Sequence, residues 1–173
     1  MAPRLNRPVL VGTLMLAVYA GAVLGLGRPH TPVAALNTAF YLLLLLNTYF
    51  SVSFTEAVFK VRCRSDAAVS TVLVGLYLAL PWSVDVPSRF FLLMALFFSL
   101  AVVKYANWLT RIDAGFFLRR KIMANSCGAA MGILTAGALA LWDRPLWVTA
   151  IALAAYAYGN LHTLLLDPLY RLR

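Results

Sequence analysis

The amino-acid sequence predicts an all-α fold: a polytopic membrane bundle of six transmembrane helices in three hairpins, with both termini in the cytoplasm. Three observations carry this expectation. Apolar residues make up 62% of the 173-residue chain and charged residues only 12%, with a mean hydropathy of +0.82, whereas a soluble domain carries about 25% charged residues. A chain this poor in charge cannot cover its own surface for water, so lipid must cover part of it. Six apolar stretches follow one another, each near the length of about 20 residues that crosses a hydrocarbon core of about 30 Å. The Lys and Arg residues between them fall mainly on alternate connections.

The spans read as Val9–Gly27, Val33–Phe54, Ala67–Trp82, Phe90–Leu109, Cys127–Trp142 and Leu146–Leu166. None shows the alternation of a strand, and a backbone in lipid must satisfy its own hydrogen bonds, so each is expected to be helical. The third and fifth are short for a span, at about 16 residues, and have apolar ends able to extend them. The connections Arg28–Pro32, Ser83–Arg89 and Asp143–Pro145 each contain proline, as helix-stopping turns do. The whole of 1–173 is read as one transmembrane domain, without a linker or low-complexity tract.

Orientation follows from charge. Arg4, Arg7, Lys60, Arg62, Arg64, Arg111, Arg119, Arg120, Lys121, Arg171 and Arg173 lie at the termini and on the even-numbered connections, against Arg28, Arg89 and Arg144 on the odd-numbered ones. Lys and Arg are retained on the cytoplasmic side. Both termini are therefore expected there, in a multi-pass protein of the cell membrane. A cleavable leader ending near Ala20-Gly21-Ala22 is the competing reading of the first span; the apolar run continuing past Ala22 and the charge count favour an uncleaved span. The net charge of +9 then reads as an orientation signal and an attraction to anionic lipid headgroups. It does not point to nucleic acid, since no soluble module is left to bind it. Cys63 and Cys127 fall at the cytoplasmic edge without a CxxC pair, and in a reducing compartment neither a disulfide nor a zinc site is expected.

The long joint from Thr110 to Ser126 mixes Ile112, Phe116, Phe117, Ile122 and Met123 with Arg111, Arg119, Arg120 and Lys121. That mixture suits a helix lying in the headgroup layer with its four basic residues on anionic phosphates; the simpler alternative is an extension of a neighbouring span. Two helix faces carry small residues at every fourth position. One is Thr13, Ala17, Gly21 and Gly25 in span one; the other is Ala124, Gly128, Gly132, Ala136 and Ala140 in span five. Such faces let a second backbone approach closely. One is available for the internal bundle and the other for a neighbouring copy, or both for the bundle. A short match between Tyr105, Asn107 and Thr110 and Tyr158, Asn160 and Thr163, at an offset of 53, hints at internal repetition of the kind seen in transporters.

Polar residues inside spans are the first candidates for function. Span two carries Tyr41, Thr48, Ser51 and Thr55 on roughly one face, with Asn47 and Glu56 beside it. Span four carries Lys104, Asn107 and Arg111, and span six carries Tyr156, Asn160, Thr163 and Asp167 with His162 nearby. Nearly all fall in the expected cytoplasmic half. The sharp reading is a polar vestibule open to the cytoplasm, with Glu56 and Lys104 as an ion pair and Asn107, Asn160 and His162 in its lining. The plain reading is that Lys104 snorkels to the interface, that Glu56 is solvated at a helix end, and that Ser and Thr bond to their own backbone.

No catalytic residue set is visible. HExxH, a nucleophile elbow and a phosphate-cradling glycine loop are all missing from the sequence, and no cofactor or metal is expected. Three functions stay open, in this order: a homo-oligomeric transporter or channel-like protein, a non-catalytic anchor or accessory subunit of a larger membrane complex, and a lipid-modifying enzyme. The partners expected are the bilayer with its anionic lipids and either further copies or a larger complex.

Overall fold

The computed structural model describes residues 7–27, 31–58, 64–111 and 115–166. Among these residues the chain forms six helices: α1 (Arg7–Gly27), α2 (Pro32–Val58), α3 (Arg64–Ala79), α4 (Pro87–Leu109), α5 (Gly115–Leu141) and α6 (Pro145–Leu161). A 3-10 turn, Leu80–Ser83, extends α3, and a π turn, His162–Leu166, continues α6. Helices α2, α4 and α6 each begin on a proline, where the missing N–H would have had no helical partner and the ring's fixed φ is already helical. Thr31 caps α2 by accepting the Ala34 N–H on its hydroxyl at 3.1 Å. Five helices are long and apolar enough to cross a membrane. Helix α6 is shorter, at 17 residues before its π turn.

The outer surface is what lipid would cover. Met15, Val18, Leu42, Val72, Leu92, Leu134 and Ile151 all face outward, far more apolar exposure than a water-soluble monomer presents. Trp82, Trp142 and Trp147 are also exposed, and all three stand at the end where α3 and α5 finish and α6 begins. Tryptophans gathered at one level mark a membrane–water interface.

The most extensive packing is between α4 and α5, and α2 pairs with α6. At the α4–α5 seam, a Cβ added to Gly132 would come within 2.9 Å of the Phe91 carbonyl oxygen and 3.0 Å of the Ala95 backbone nitrogen. At Gly128 it would meet the Phe98 ring at 2.9 Å. The Gly128–Gly132–Ala136 face of α5 is therefore used inside the bundle. The α1 face is different. Ala17 packs against the core, but Gly21 and Gly25 are exposed, and a Cβ on either would meet nothing within 4 Å; α1 docks instead through Ala20 and Val23.

The segment expected to lie in the headgroup layer is, from Gly115 onward, the first turns of α5. The reason is packing. Leu118, Lys121 and Asn125 continue the buried face of Gly132, Thr135 and Ala136, and Leu118 joins Ala101, Tyr105 and Trp108 of α4 in a separate small core. That contact gives the basic segment a reason to stay helical and in line.

Around the middle of the bundle an aromatic cluster holds α2, α4 and α6. Phe40 stacks on Tyr156 with ring centroids 4.3 Å apart and meets Phe90 and Phe91 edge-on at 6.0 and 5.5 Å. Such pairs add about 0.5–1.5 kcal/mol each beyond the area they bury. Nearby, the fully buried Asn37 donates from Nδ2 to the Val84 carbonyl at 2.8 Å, tying α2 to the α3–α4 turn.

Because the Phe91 carbonyl is backbone and cannot swing aside, Gly132→Ala is expected to lower stability by about 1–3 kcal/mol. Gly21→Ala, which faces open space, should stay within about 0.5 kcal/mol of the parent. Thermal unfolding in detergent, followed by circular dichroism, measures both.

Candidate functional site

A cavity of about 760 Å3 lies between α1, α2, α3, α4 and α5. Four of the helices contribute from the same end. The lining comes mainly from the first half of α1, the second half of α2 and α4 and the first turns of α5, with α3 contributing along most of its length, from Ser70 to Leu78. The shared end is the one at which Arg7, Arg64, Arg111, Arg119 and Arg120 lie.

Each polar lining residue is placed by its helix register. Asn47, Thr48 and Ser51 share a face of α2, and Lys104 and Tyr105 end the lining stretch of α4. Lys121 and Asn125 sit one turn apart at the start of α5. Hydrogen bonds cross between helices here. The Lys104 ammonium donates to the Ser70 hydroxyl of α3 at 2.9 Å and stands 5.3 Å over the Trp108 ring. Ser51 and Tyr105 share a hydroxyl–hydroxyl bond of 2.9 Å, and the Thr48 and Tyr77 hydroxyls are bonded. Lys121 is buried and stands 5.9 Å over the Tyr105 ring. Asn125 donates to the Lys121 carbonyl at 2.8 Å.

Two ammonium groups thus lie on one cavity, and among the described lining residues none is a carboxylate. Asp66 is one helical turn before Ser70 on α3 but does not line the space. The remaining wall is apolar, from Leu16, Leu44, Leu73, Phe97 and Phe98. Among the described residues no three His, Cys, Asp or Glu side chains converge. The chemistry on offer is binding, through cationic and hydroxyl donors.

No family model, no curated protein and no solved structure matches this chain. Its reading rests on its own residues.

The vestibule set expected from sequence is divided by the fold. Lys104 lines the cavity and bonds across to α3. Asn107 is half-buried on α4 outside the lining, its carbonyl accepting from Thr110. Asn160 is buried but turned elsewhere, donating to its own helix at Tyr156. His162 is exposed, with its ring 6.4 Å from that of Tyr158. Helix α6 packs on α2 and α5, and no residue of its polar stripe is among those lining the cavity. The backbone of Glu56 is helical, and its side chain lies outside the described residues, as do Asp113, Asp167 and Cys63. The 53-residue match does not give equivalent positions: Tyr105 is 8% exposed and Tyr158 is 65% exposed.

The headgroup set divides too. Arg111 and Arg119 are exposed, and Arg120 is half-buried with its guanidinium 5.6 Å from the Phe116 ring. Lys121 is a correction: it points into the bundle, 5% exposed, and lines the cavity. With Asn125, Ser70, Tyr77 and Tyr105 it is a site residue that the sequence reading missed. A signal was available. Lys121, Asn125, Gly128 and Gly132 fall at steps of four, three and four, so both polar residues continue the small-residue face toward the start of α5.

Breaking the α2–α4 hydroxyl bond with Ser51→Ala and Tyr105→Phe should show a coupling of about 0.6 kcal/mol in a double-mutant cycle, the size usual for such bonds in membrane helices. Unfolding in detergent supplies the four stabilities. A coupling of zero removes that bond from the site's framework.

Proposed function

We propose that this chain is a six-span protein of the cell membrane, of the transporter or channel-like kind, whose working site is the cavity between α1 and α5 and whose cavity is entered from the cytoplasm. The observation that carries this reading is the convergence of Lys104, Lys121 and the hydroxyls of Thr48, Ser51 and Ser70 from four helices onto one space. Hydrogen bonds needed only for packing do not require a cleft of about 760 Å3 beside them. Its volume falls within the range of about 300–1,000 Å3 usual for ligand sites.

The cytoplasmic orientation is supported by the basic residues at the cavity's end of the bundle. With both α6 and its π turn counted, the last helical stretch runs from Pro145 to Leu166, long enough for a sixth crossing. Association with further copies is part of the proposal and draws on the Gly21 and Gly25 face of α1, where an added Cβ would meet nothing within 4 Å among the described residues. That same face supports the second reading, an accessory subunit docked on another membrane protein.

In a background with Cys63→Ser and Cys127→Ser, Ser70→Cys should react with a charged, impermeant thiol reagent in inverted membrane vesicles and not in right-side-out ones. Thr149→Cys, buried near the start of α6, should react in neither. Labelling of Ser70→Cys only from the outside reverses the orientation, and no labelling from either side closes the cavity to water and sinks the reading. Mass measurement in detergent decides assembly: a discrete homo-oligomer is expected, and a lone copy turns the α1 face over to a different partner.

A further inference from the structure

We propose that the cavity binds a single-chain amphiphile with an anionic headgroup, its phosphate or carboxylate between Lys104 and Lys121 and its hydrocarbon chain along the apolar wall. This rests on the reading of the cavity as the working site and names the class of molecule that enters it. Two helices carry the same gradient. On α2 the lining passes from Ser51, Thr48 and Asn47 to Leu44, and on α4 from Lys104 and Tyr105 to Phe98 and Phe97. Each runs from the basic end of the bundle toward its middle. On α3 Leu73, Val74 and Leu78 follow Ser70, with the Tyr77 hydroxyl among them bonded to Thr48. At about 1.5 Å per residue the lining of α4 extends about 12 Å along the axis, a length suited to a chain rather than to a compact ion.

A small anion would meet the two ammonium groups and leave most of the space unfilled. Water at about 30 Å3 per molecule could enter, but an apolar wall offers it few partners. A hydrocarbon chain fills that wall and gains about fourfold in affinity for every methylene buried. The way in is also visible. Met15 of α1 and Val74 of α3 both line the cavity and are 68% and 49% exposed on the outer surface. Helix α1 packs only lightly on α3, so the cavity reaches the lipid-facing surface along that seam. A chain can enter sideways from the hydrocarbon layer while its charged head stays at the basic end. The cations at the head and the lateral seam belong together in this account: one selects the charge, the other admits the tail.

The test uses the full-length protein in a neutral detergent, with dodecyl phosphate, decyl phosphate, dodecanol and inorganic phosphate as probes, read by native mass spectrometry and calorimetry. Dodecyl phosphate is expected to bind. Decyl phosphate, two methylenes shorter, should bind about fifteenfold more weakly, and inorganic phosphate at the same concentration should not compete. Lys104→Met and Lys121→Met should each weaken dodecyl phosphate about tenfold or more, and Lys104→Arg, which keeps the charge, should restore most of the binding. Unchanged helical circular dichroism shows that each variant is folded. Competition by inorganic phosphate without dependence on chain length overturns the amphiphile and leaves a cavity for small anions. Dodecanol binding as tightly as dodecyl phosphate overturns the anionic head. Failure of all four probes to bind goes further and removes the cavity as a working site.

Discussion

The most extensive packing among the described residues is that of α5 on α4, and the site depends on it. Gly132 presses its backbone against the Phe91 carbonyl and Gly128 lies under the Phe98 ring, so α5 contributes no side chain at these two points of contact. Close backbone approach is one of the few ways to hold helices together where lipid is as apolar as the core. Its consequence lies about two turns away. With α5 held against α4 at the glycines, the first turns of α5 have no room to leave the bundle, and Lys121 and Asn125 are carried to the cavity beside Lys104 and Tyr105. A basic segment that would suit the headgroup layer becomes the fifth wall of a polar chamber.

The bundle is built differently at its two ends. Toward the tryptophan-marked end, α2, α4 and α6 close around Phe40, Phe90, Phe91 and Tyr156, and Asn37 pins the α3–α4 turn. Around the cavity, hydroxyl and ammonium groups bond between helices, Thr48 to Tyr77, Ser51 to Tyr105 and Lys104 to Ser70. Polar groups in a low-dielectric setting are costly when left alone, which is why Ser70 meets Lys104, and Ser51 meets Tyr105. The bond to Ser70 holds the Lys104 ammonium at the wall of the cavity, and Lys121 stands over the Tyr105 ring.

Much of this was legible from residues alone. Prolines at 32, 87 and 145 mark helix starts, and they are where α2, α4 and α6 begin. The glycine spacing in span five pointed to a packing face, and that face is used. Polar residues of span two, Thr48 and Ser51, and Lys104 of span four indicated a polar region at one end, and they do share a cavity. The grouping of Asn160 and His162 with them was not legible. Helical period says which residues of one helix lie together; it does not say which helix that face meets.

Composition and period are properties of single segments, so the chain's own letters were enough for helices, their approximate limits, their apolar outer surface and the expected side for the basic residues. Neighbour relations are properties of pairs. Whether α6 or α5 completes the polar chamber, whether Lys121 faces lipid phosphates or a buried wall, and whether Gly21 or Gly132 receives another backbone all turn on which faces lie within a few ångströms of each other. Packing settles those choices because several apolar faces compete for the same partners, and the most extensively packed pair, α4 with α5, leaves the others to arrange themselves around it.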